Sequence, residues 1–243
     1  MIAIMVSPEG RGLRVPTIVF VSPKGGVGKS TSALLLSNQL ATAYDVTVID
    51  ADPNQPLKSW AAGGNSPPRL SIVSDVNEND ILDRIEEAAA ATPFVIVDLE
   101  GTAAKIVLLA LSQADFAIIP LQASQLDAAQ ASRAIKVIKQ REQMTKKKLP
   151  YAVLLTRTSQ TIRTRTLTHI QKGLLEAGIP VLETELHERE AFRAVFSFQQ
   201  TLTGLNSAEV SNIDKAQANV EEFAAEILRI LAPAAAQADE KVA

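Results

Sequence analysis

Six short apolar runs punctuate the chain, at residues 17–21, 46–49, 70–73, 94–97, 116–119 and 152–155, and they read as continuous rather than alternating. Continuous apolarity suits strands that are buried on both faces. Between the runs, apolar positions recur at helical spacing over roughly residues 30–43, 79–91, 103–113, 126–142 and 162–177. Strand and helix in alternation predict an α/β fold: a doubly wound, mostly parallel β-sheet flanked by helices, in a single domain. Right-handed crossovers would then put a ligand site at the carboxyl ends of the strands. The expected organisation is a loose N-terminal extension over 1–16, the domain over 17–232 and a frayed C-terminal tail, rich in alanine and charge, over 233–243.

The first run leads directly into Ser22-Pro23-Lys24-Gly25-Gly26-Val27-Gly28-Lys29-Ser30-Thr31. A strand that enters a helix through glycines leaves successive backbone N–H groups directed into one hollow, beside the partial positive charge of the helix N-terminus. Such a hollow fits the β-phosphate of a nucleotide. Lys29 reaches β- and γ-phosphate oxygens, and the Ser30 hydroxyl suits Mg²⁺, as in Gly-x4-Gly-Lys-[Ser/Thr]. The first glycine of that pattern is replaced by Pro23, and an additional lysine, Lys24, heads the loop.

Carboxylates close two later runs. Asp50 ends the run at 46–49, with Asp52 just beyond it in Asp50-Ala51-Asp52-Pro53-Asn54-Gln55, and Asp98 ends the run at 94–97. A strand closing on an acid is the usual form of the metal-supporting aspartate in phosphoryl-transfer sites, and Mg²⁺ keeps several waters that such acids can hold. Asp52-Pro53 also suits the start of a turn. Glu100 is either a phosphate-proximal acid in competition with Asp52 or a solvated residue, and Gly101 would let the backbone approach the γ-phosphate.

Read whole, the segment from Lys24 to Thr31 resembles the deviant P-loop of the ParA/MinD class of ATPases, and Asp50 to Gln55 is similar to the Asp-x-Asp-Pro-Gln motif of partition ATPases, with Asn54 inserted. The resemblance implies ATP and Mg²⁺ as cofactors. Lys24, Gly25, Gly26, Val27, Gly28, Lys29, Ser30 and Thr31 would bind the nucleotide, while Ser30, Asp50 and Asp98 would serve the metal. Asp52 would orient the attacking water, and Lys24 would cross the interface of a homodimer closed around two ATP. Lys24, Lys29 and Asp52 are thereby the catalytic candidates. It further implies nonspecific DNA binding in the ATP state, release on hydrolysis stimulated by a ParB-like or cargo adaptor, and a cytoplasmic, nucleoid-associated role in partitioning a plasmid or chromosome or positioning a large cargo. One departure stands out: Leu99-Glu100-Gly101-Thr102 replaces the small residues and prolines that commonly follow the second aspartate. In the loop after residue 119, Ser124 and Asp127 would lie along the dimer interface or cap the next helix. The alternatives are a MinD-like membrane-positioning ATPase and a metabolic P-loop enzyme resembling dethiobiotin synthetase.

Composition narrows these choices. The 243 residues include no cysteine, which excludes a disulfide framework, a thiolate zinc site and a cysteine-held iron–sulfur cluster. No apolar run approaches the ~20 residues of a membrane span, and the first fourteen residues lack the features of a secretory signal. The closing helix places Val220, Phe223, Ala224, Ile227, Leu228 and Leu231 on one stripe and Glu221, Glu222 and Glu226 opposite, with only Arg229 basic. An interfacial helix needs lysines and arginines there, so the membrane alternative loses ground. Residues 143–175 hold seven lysines and arginines (Lys146, Lys147, Lys148, Arg157, Arg163, Arg165, Lys172) and no acid, so a whole-chain charge of −3 leaves −10 for the rest. Such asymmetry is a footprint for a polyanion, or else a solvated face. Arg157, Arg163, Arg165 and Lys172 are the candidate DNA contacts. His169 and His187 lack metal-ligand spacing, and Trp60 is expected to pack.

Overall fold

A computed structural model describes residues 15–101, 104–122 and 125–240. Seven strands, β1 (Thr17–Phe20), β2 (Val46–Ala51), β3 (Leu70–Val73), β4 (Phe94–Leu99), β5 (Phe116–Gln122), β6 (Tyr151–Thr158) and β7 (Leu186–His187), form one sheet in the order β3-β2-β4-β1-β5-β6-β7. Every pairing is parallel. The helices are α1 (Lys29–Leu40), α2 (Pro56–Ala61), α3 (Ile81–Ala91), α4 (Ala104–Gln113), α5 (Gln125–Thr145), α6 (Arg165–Glu176), α7 (Glu190–Ser197) and α8 (Ile213–Glu240), with a short 3-10 turn at Leu202–Gly204.

Alternate strand residues feed two cores, one on each side of the sheet. Ile18, Phe20, Val46, Val48, Phe94, Ile96, Ile118 and Leu154 meet the apolar faces of α1, α2, α7 and α8. Val19, Ile49, Val95, Val97, Ala117, Ile119, Val153 and Leu155 meet those of α3, α4, α5 and α6. This two-sided burial is why the runs are continuous in sequence, since a polar residue at either phase would lose water without gaining a partner. Each buried Val, Ile, Leu or Phe contributes ~1.5–3 kcal/mol. On α8, Val220, Phe223, Ala224 and Ile227 are buried against the sheet, with Leu228 and Leu231 packed beside them. That apolar stripe is committed to the core. Glu226 belongs inside as well, not on the polar face the spacing suggests: it is 5% exposed and accepts from the N–H groups of Glu183 and Thr184 at 2.7 and 2.8 Å.

Three elements go beyond the sequence expectation. Helices α2 and α7 occupy stretches without predicted structure, and β7 adds a seventh strand. Trp60 on α2 is 2% exposed and donates its indole N–H to the Gln200 carbonyl at 3.1 Å, a packing role as expected. α6 starts at Arg165 rather than near 162, because Thr164 caps it by accepting from Leu167 N. Val15 packs on the second core, and the Pro16 carbonyl accepts from Val95, so the last two residues of the expected extension belong to the fold. Residues 1–14 lie outside the described residues. The backbone of α8 continues to Glu240 through the segment expected as a frayed tail.

Candidate functional site

Parallel register brings the acids together. Asp50 is the Cα partner of Asp98 across β2 and β4, and Phe20, the last residue of β1, is level with Asp98 on its other side. Just past Phe20 the chain turns through the glycine loop into α1, so the loop crosses directly above the two aspartates.

The loop's shape comes from where its carbonyls go. Lys29 Nζ donates to the Lys24 carbonyl at 3.2 Å, Gln122 Nε2 to that of Gly26 at 2.8 Å, and the buried Thr156 hydroxyl to that of Val27 at 2.8 Å. Tying those carbonyls to side chains leaves the loop's N–H groups as the donors that an anion nest requires. Gly26 and Gly28 have φ of 76° and 95°, which L-residues rarely adopt, and Gly28 is the N-cap of α1. The cavity bounded by this loop has a volume of about 340 Å³ and is lined by Gly25, Gly26, Gly28, Lys29, Ser30, Thr31, Asp52, Asn54, Glu100, Gly101 and Arg157.

Asp52 and Glu100 thus stand at the cavity wall, while Asp50 and Asp98 lie behind it. Burial raises the Asp98 carboxyl to about 7; the neighbouring Ser30 hydroxyl and Lys29 ammonium oppose that rise, and Asp50 adds to it. Asp98 is fully buried, and neither of its oxygens has a hydrogen-bond partner among the described residues. Burial likewise raises Asp50, opposed by backbone N–H groups. Its Oδ2 accepts from Leu57 and Lys58 N, both at 2.9 Å, which fixes the first turn of α2, whereas Oδ1 is buried and unpartnered. Three unsatisfied carboxylate oxygens beside the Ser30 hydroxyl fit the outer shell of a hydrated Mg²⁺, a cation that seeks oxygen and keeps its waters. Lys29 is buried, and burial lowers its pKa against the pull of Asp98, Asp52 and Glu100.

Asn54, the residue inserted in the acidic motif, has a definite place. Its backbone N and its Nδ2 both donate to Asp52 Oδ1, at 2.8 and 2.9 Å, and the Asp52 carbonyl accepts from Gln55 N. The turn and the carboxylate are therefore one unit at the cavity wall. Gln55, at φ 47°, is turned away: its Nε2 bonds to Asp75 Oδ1 at 2.7 Å. Gly101 comes close to the backbone of Ser22 and Pro23, so its lack of a side chain serves the contact between two strand-end loops. Lys24 opens the loop, its N–H directed to the Ser22 hydroxyl at 3.4 Å. α5 begins at Gln125, which places Asp127 within its first turn, and Ser124 lies outside the described residues.

The basic segment divides. Lys146, Lys147 and Lys148 precede β6, whereas Arg157 is its next-to-last residue and Arg163 and Arg165 follow it, so nearly the whole of a strand of eight residues, about 25 Å long, separates the two groups. The seven charges do not form one patch. Lys148 pairs with Glu142 at 3.7 Å and Lys172 with Glu176 at 3.7 Å; Arg163 donates to Gln171. Arg165, Lys172 and His169 are exposed on α6.

A second cavity of about 220 Å³ adjoins the first, sharing Gly28, Thr31 and Arg157 and continuing along Leu186, His187, Arg189, Phe192 and Phe196. His187 is engaged by the Thr158 hydroxyl at 2.8 Å, and burial lowers its pKa. Sequence reasoning noted Asn54 only as an insertion and gave no role at the glycine loop to Gln122, Thr156 or this cleft. Gln122 and Thr156 each stand at the carboxyl end of a strand, a position that alone marks site residues in parallel sheets.

The sequence model of the VirC1 protein family matches residues 15–234. The chain is 38% identical over 221 residues to Protein ParA of Rhizobium radiobacter, spanning 90% of this chain and 99% of that protein. It is 28% identical over 205 residues to Maintenance of carboxysome distribution protein A of Halothiobacillus neapolitanus, spanning 81% and 93%. An ATP complex of McdA from Cyanothece superposes with a TM-score of 0.71 at 16% identity over 89% of this chain and 97% of that one, a likeness of fold. A family match from β1 to α8, together with a full-length relative at 38% identity, makes the chain a member of the VirC1 family, within the ParA/McdA-like partition and positioning ATPases.

Proposed function

We propose that the protein is an ATP-driven switch: it dimerises around two ATP, binds DNA without sequence preference in that state, and releases it on hydrolysis, thereby positioning a plasmid, a chromosomal locus or a large protein assembly. The observation that carries this reading is the glycine loop with carbonyls tied back and Lys24 at its head, set above the Asp50–Asp98 pair and beside the clamped Asp52.

The backbone N–H groups and Lys29 would hold the phosphates, and the adjoining cleft the nucleoside. Ser30, Asp50 and Asp98 would hold the hydrated Mg²⁺, which when bound neutralises charge on the phosphate oxygens. Asp52, fixed through Oδ1 by Asn54, would accept a hydrogen bond from water aligned on the γ-phosphorus; attack would break the bond to the β–γ bridging oxygen and yield ADP and phosphate. Catalysis of this kind is positioning plus charge stabilisation. Glu100 shares the same wall. Lys24 from each protomer would offset the repulsion between two facing nucleotides.

For DNA, the exposed group at the β6–α6 corner is the candidate face, with Arg163, Arg165 and Lys172. One monomer offers few phosphate contacts. Dimerisation makes the second engagement intramolecular and raises avidity without enlarging either surface, which links nucleotide state to DNA affinity. A ParB-like or cargo adaptor would accelerate hydrolysis, and the protein would associate with the nucleoid. Among the described residues no helix is long and apolar enough to cross a membrane, and α8 spends its apolar stripe on the sheet, which supports the DNA reading over a membrane cycle. The test is a mobility shift on unrelated duplexes with ATP, ADP or no nucleotide. Retardation with ATP alone is expected; equal retardation in all three, or in none, refutes the switch.

A further inference from the structure

We infer that Arg157, grouped by its sequence neighbourhood with the DNA contacts, is instead a nucleotide-binding residue supplied by the same subunit, holding the phosphate chain where the phosphate cavity opens into the nucleoside cleft. The inference rests on the nucleotide reading proposed above and adds to it a specific cation.

Three observations converge on it. Arg157 lines both cavities, and the other residues they share, Gly28 and Thr31, come from the loop and the first turn of α1. Its backbone is in the left-handed region, at φ 52°, although it lies inside a strand. The pairing of β6 with β7 slips there, Thr156 opposing Leu186 and Thr158 opposing His187. A slip of this kind bends the strand and re-aims the extra residue, and a strained non-glycine residue persists only where its surroundings over-determine it.

Those surroundings are visible. Thr156 is buried with its hydroxyl on the Val27 carbonyl, and Thr158 is buried with its hydroxyl on His187 Nδ1. The residue between two locked threonines is the exposed one. Its guanidinium has no hydrogen bond or ion pair among the described residues, whereas Arg163 is engaged by Gln171 and Arg193 by Glu188 and Glu190.

Charge completes the case. On the phosphate side, Lys29 already faces Asp98, Asp52 and Glu100, so a polyanionic nucleotide needs a further cation. An arginine fork presents paired N–H donors that match phosphate oxygens. The junction of the two cavities is where the phosphate nearest the ribose must pass, so the contact falls on a group that ATP and ADP have in common.

The test is calorimetric titration of the full chain with ATP and with ADP, each with Mg²⁺, for the parent, Arg157→Ala and Arg157→Gly, together with DNA retardation at saturating ATP. Losing a charged hydrogen-bonding partner should weaken ATP and ADP alike, by about ten- to a hundredfold, and leave DNA retardation at saturating ATP as in the parent. Glycine relaxes the left-handed backbone, so Arg157→Gly should melt no lower than the parent while binding nucleotide as weakly as the alanine variant; this separates lost function from lost structure. Variants that bind both nucleotides like the parent, or lose only ATP, or lose DNA retardation at unchanged nucleotide affinity, overturn the assignment. A parent that binds neither nucleotide overturns the nucleotide reading itself.

Discussion

Gly101 offers a perturbation whose size is set by geometry. A methyl group at that position would stand 3.0 Å from the Ser22 carbonyl oxygen and 3.1 Å from both the carbonyl carbon and the oxygen of Pro23. Contacts this short are tighter than side-chain carbons ordinarily make, so the β4 exit and the head of the glycine loop must part by a few tenths of an ångström. All three opposing atoms are backbone, and none can yield by rotating a side chain. Overpacking of this kind costs ~1–3 kcal/mol; the entropy an alanine removes from the unfolded chain returns only ~0.4–1 kcal/mol. At about 2–4 °C per kcal/mol for a chain of this size, Gly101→Ala should lower the melting temperature by a few degrees without nucleotide present. It should also weaken Mg²⁺–ATP binding, because the displaced segment is the one that sets the cradle. Gly25→Ala is the matching control. Nothing lies within 4 Å of a Cβ there and its φ is not positive, so the free protein should melt like the parent, yet the methyl enters the space read as the phosphate site and should diminish stabilisation by nucleotide. Differential scanning fluorimetry with and without Mg²⁺–ATP reads both effects. If Gly101→Ala melts with the parent and gains as much from nucleotide, the two loops do not constrain each other as described.

Lys24→Ala should abolish ATP-dependent dimers while sparing nucleotide binding, which Lys29 and the backbone supply; light scattering with a nonhydrolysable ATP analogue decides it, and unchanged dimers would remove Lys24 from the interface. Asp52→Ala should slow phosphate release by about 10²-fold or more and prolong DNA association, whereas arrest by Glu100→Gln with Asp52→Ala still active would reverse the two roles. Asp98, raised from an ordinary 3.8 to about 7 by burial, makes the folded chain retain a proton that the unfolded chain releases, so stability falls as pH rises from about 4 to 7 and stays low above. Asp98→Asn should therefore melt higher than the parent at pH 8 without Mg²⁺, by on the order of a few kcal/mol, lose that advantage near pH 4, and hydrolyse no ATP; equal melting at both pH values would mean the carboxylate is not held at a cost. Arg163→Ala with Arg165→Ala should weaken DNA binding equally on unrelated sequences and flatten its salt dependence by about 0.9 log units for each DNA phosphate that a dimer no longer neutralises, with basal ATPase intact; parental DNA binding at every salt concentration would make that corner a solvated face.

The parts of the fold legible in the sequence are those whose signal is local. Continuous runs such as 94–97 announced strands buried on both sides, and the glycine loop announced a cradle, because one residue after another had to satisfy the same constraint. β7 has two residues and α2 six, too few for any periodicity to emerge. Helix α7 is different: Ala191, Phe192, Ala194 and Val195 are buried at helical spacing, so its signal was present and short. The basic segment is split for a topological reason, since its charges, near one another in sequence, are separated by a strand that carries the chain from the amino-end rim of the sheet to its carboxyl-end rim. The place of Asn54, and the position of Arg157 on the cavity wall rather than only within a basic segment, were illegible for a related reason: each depends on a partner, the Asp52 carboxylate in one case and the β7 register in the other, that no spacing rule supplies.

Where the molecule breaks its own folding rules argues for the site independently of any motif. Seven buried side-chain polar atoms lack a hydrogen-bond partner among the described residues: Ser32 Oγ, both amide atoms of Asn38, Asp50 Oδ1, both oxygens of Asp98 and Arg189 Nε. Each such atom costs ~1–3 kcal/mol. Only those of Asn38 lie away from the two cavities; Asp50 and Asp98 sit behind the phosphate cradle, and Ser32 and Arg189 line the cleft beside it. Arg157, one of six left-handed non-glycine residues among the described ones, and the left-handed Gly26 and Gly28 of the loop fall in the same place. A chain stabilised elsewhere by two well-packed cores can carry these defects, and cores alone give no reason to gather them at the carboxyl ends of the strands. A bound anion with its cation would answer them together: oxygens for Arg189 and the loop N–H groups, a hydrated metal for the carboxylates. The stabilisation on adding Mg²⁺–ATP should therefore exceed that from ATP or Mg²⁺ alone added together, because the carboxylates and the amides demand opposite charges that only the pair supplies.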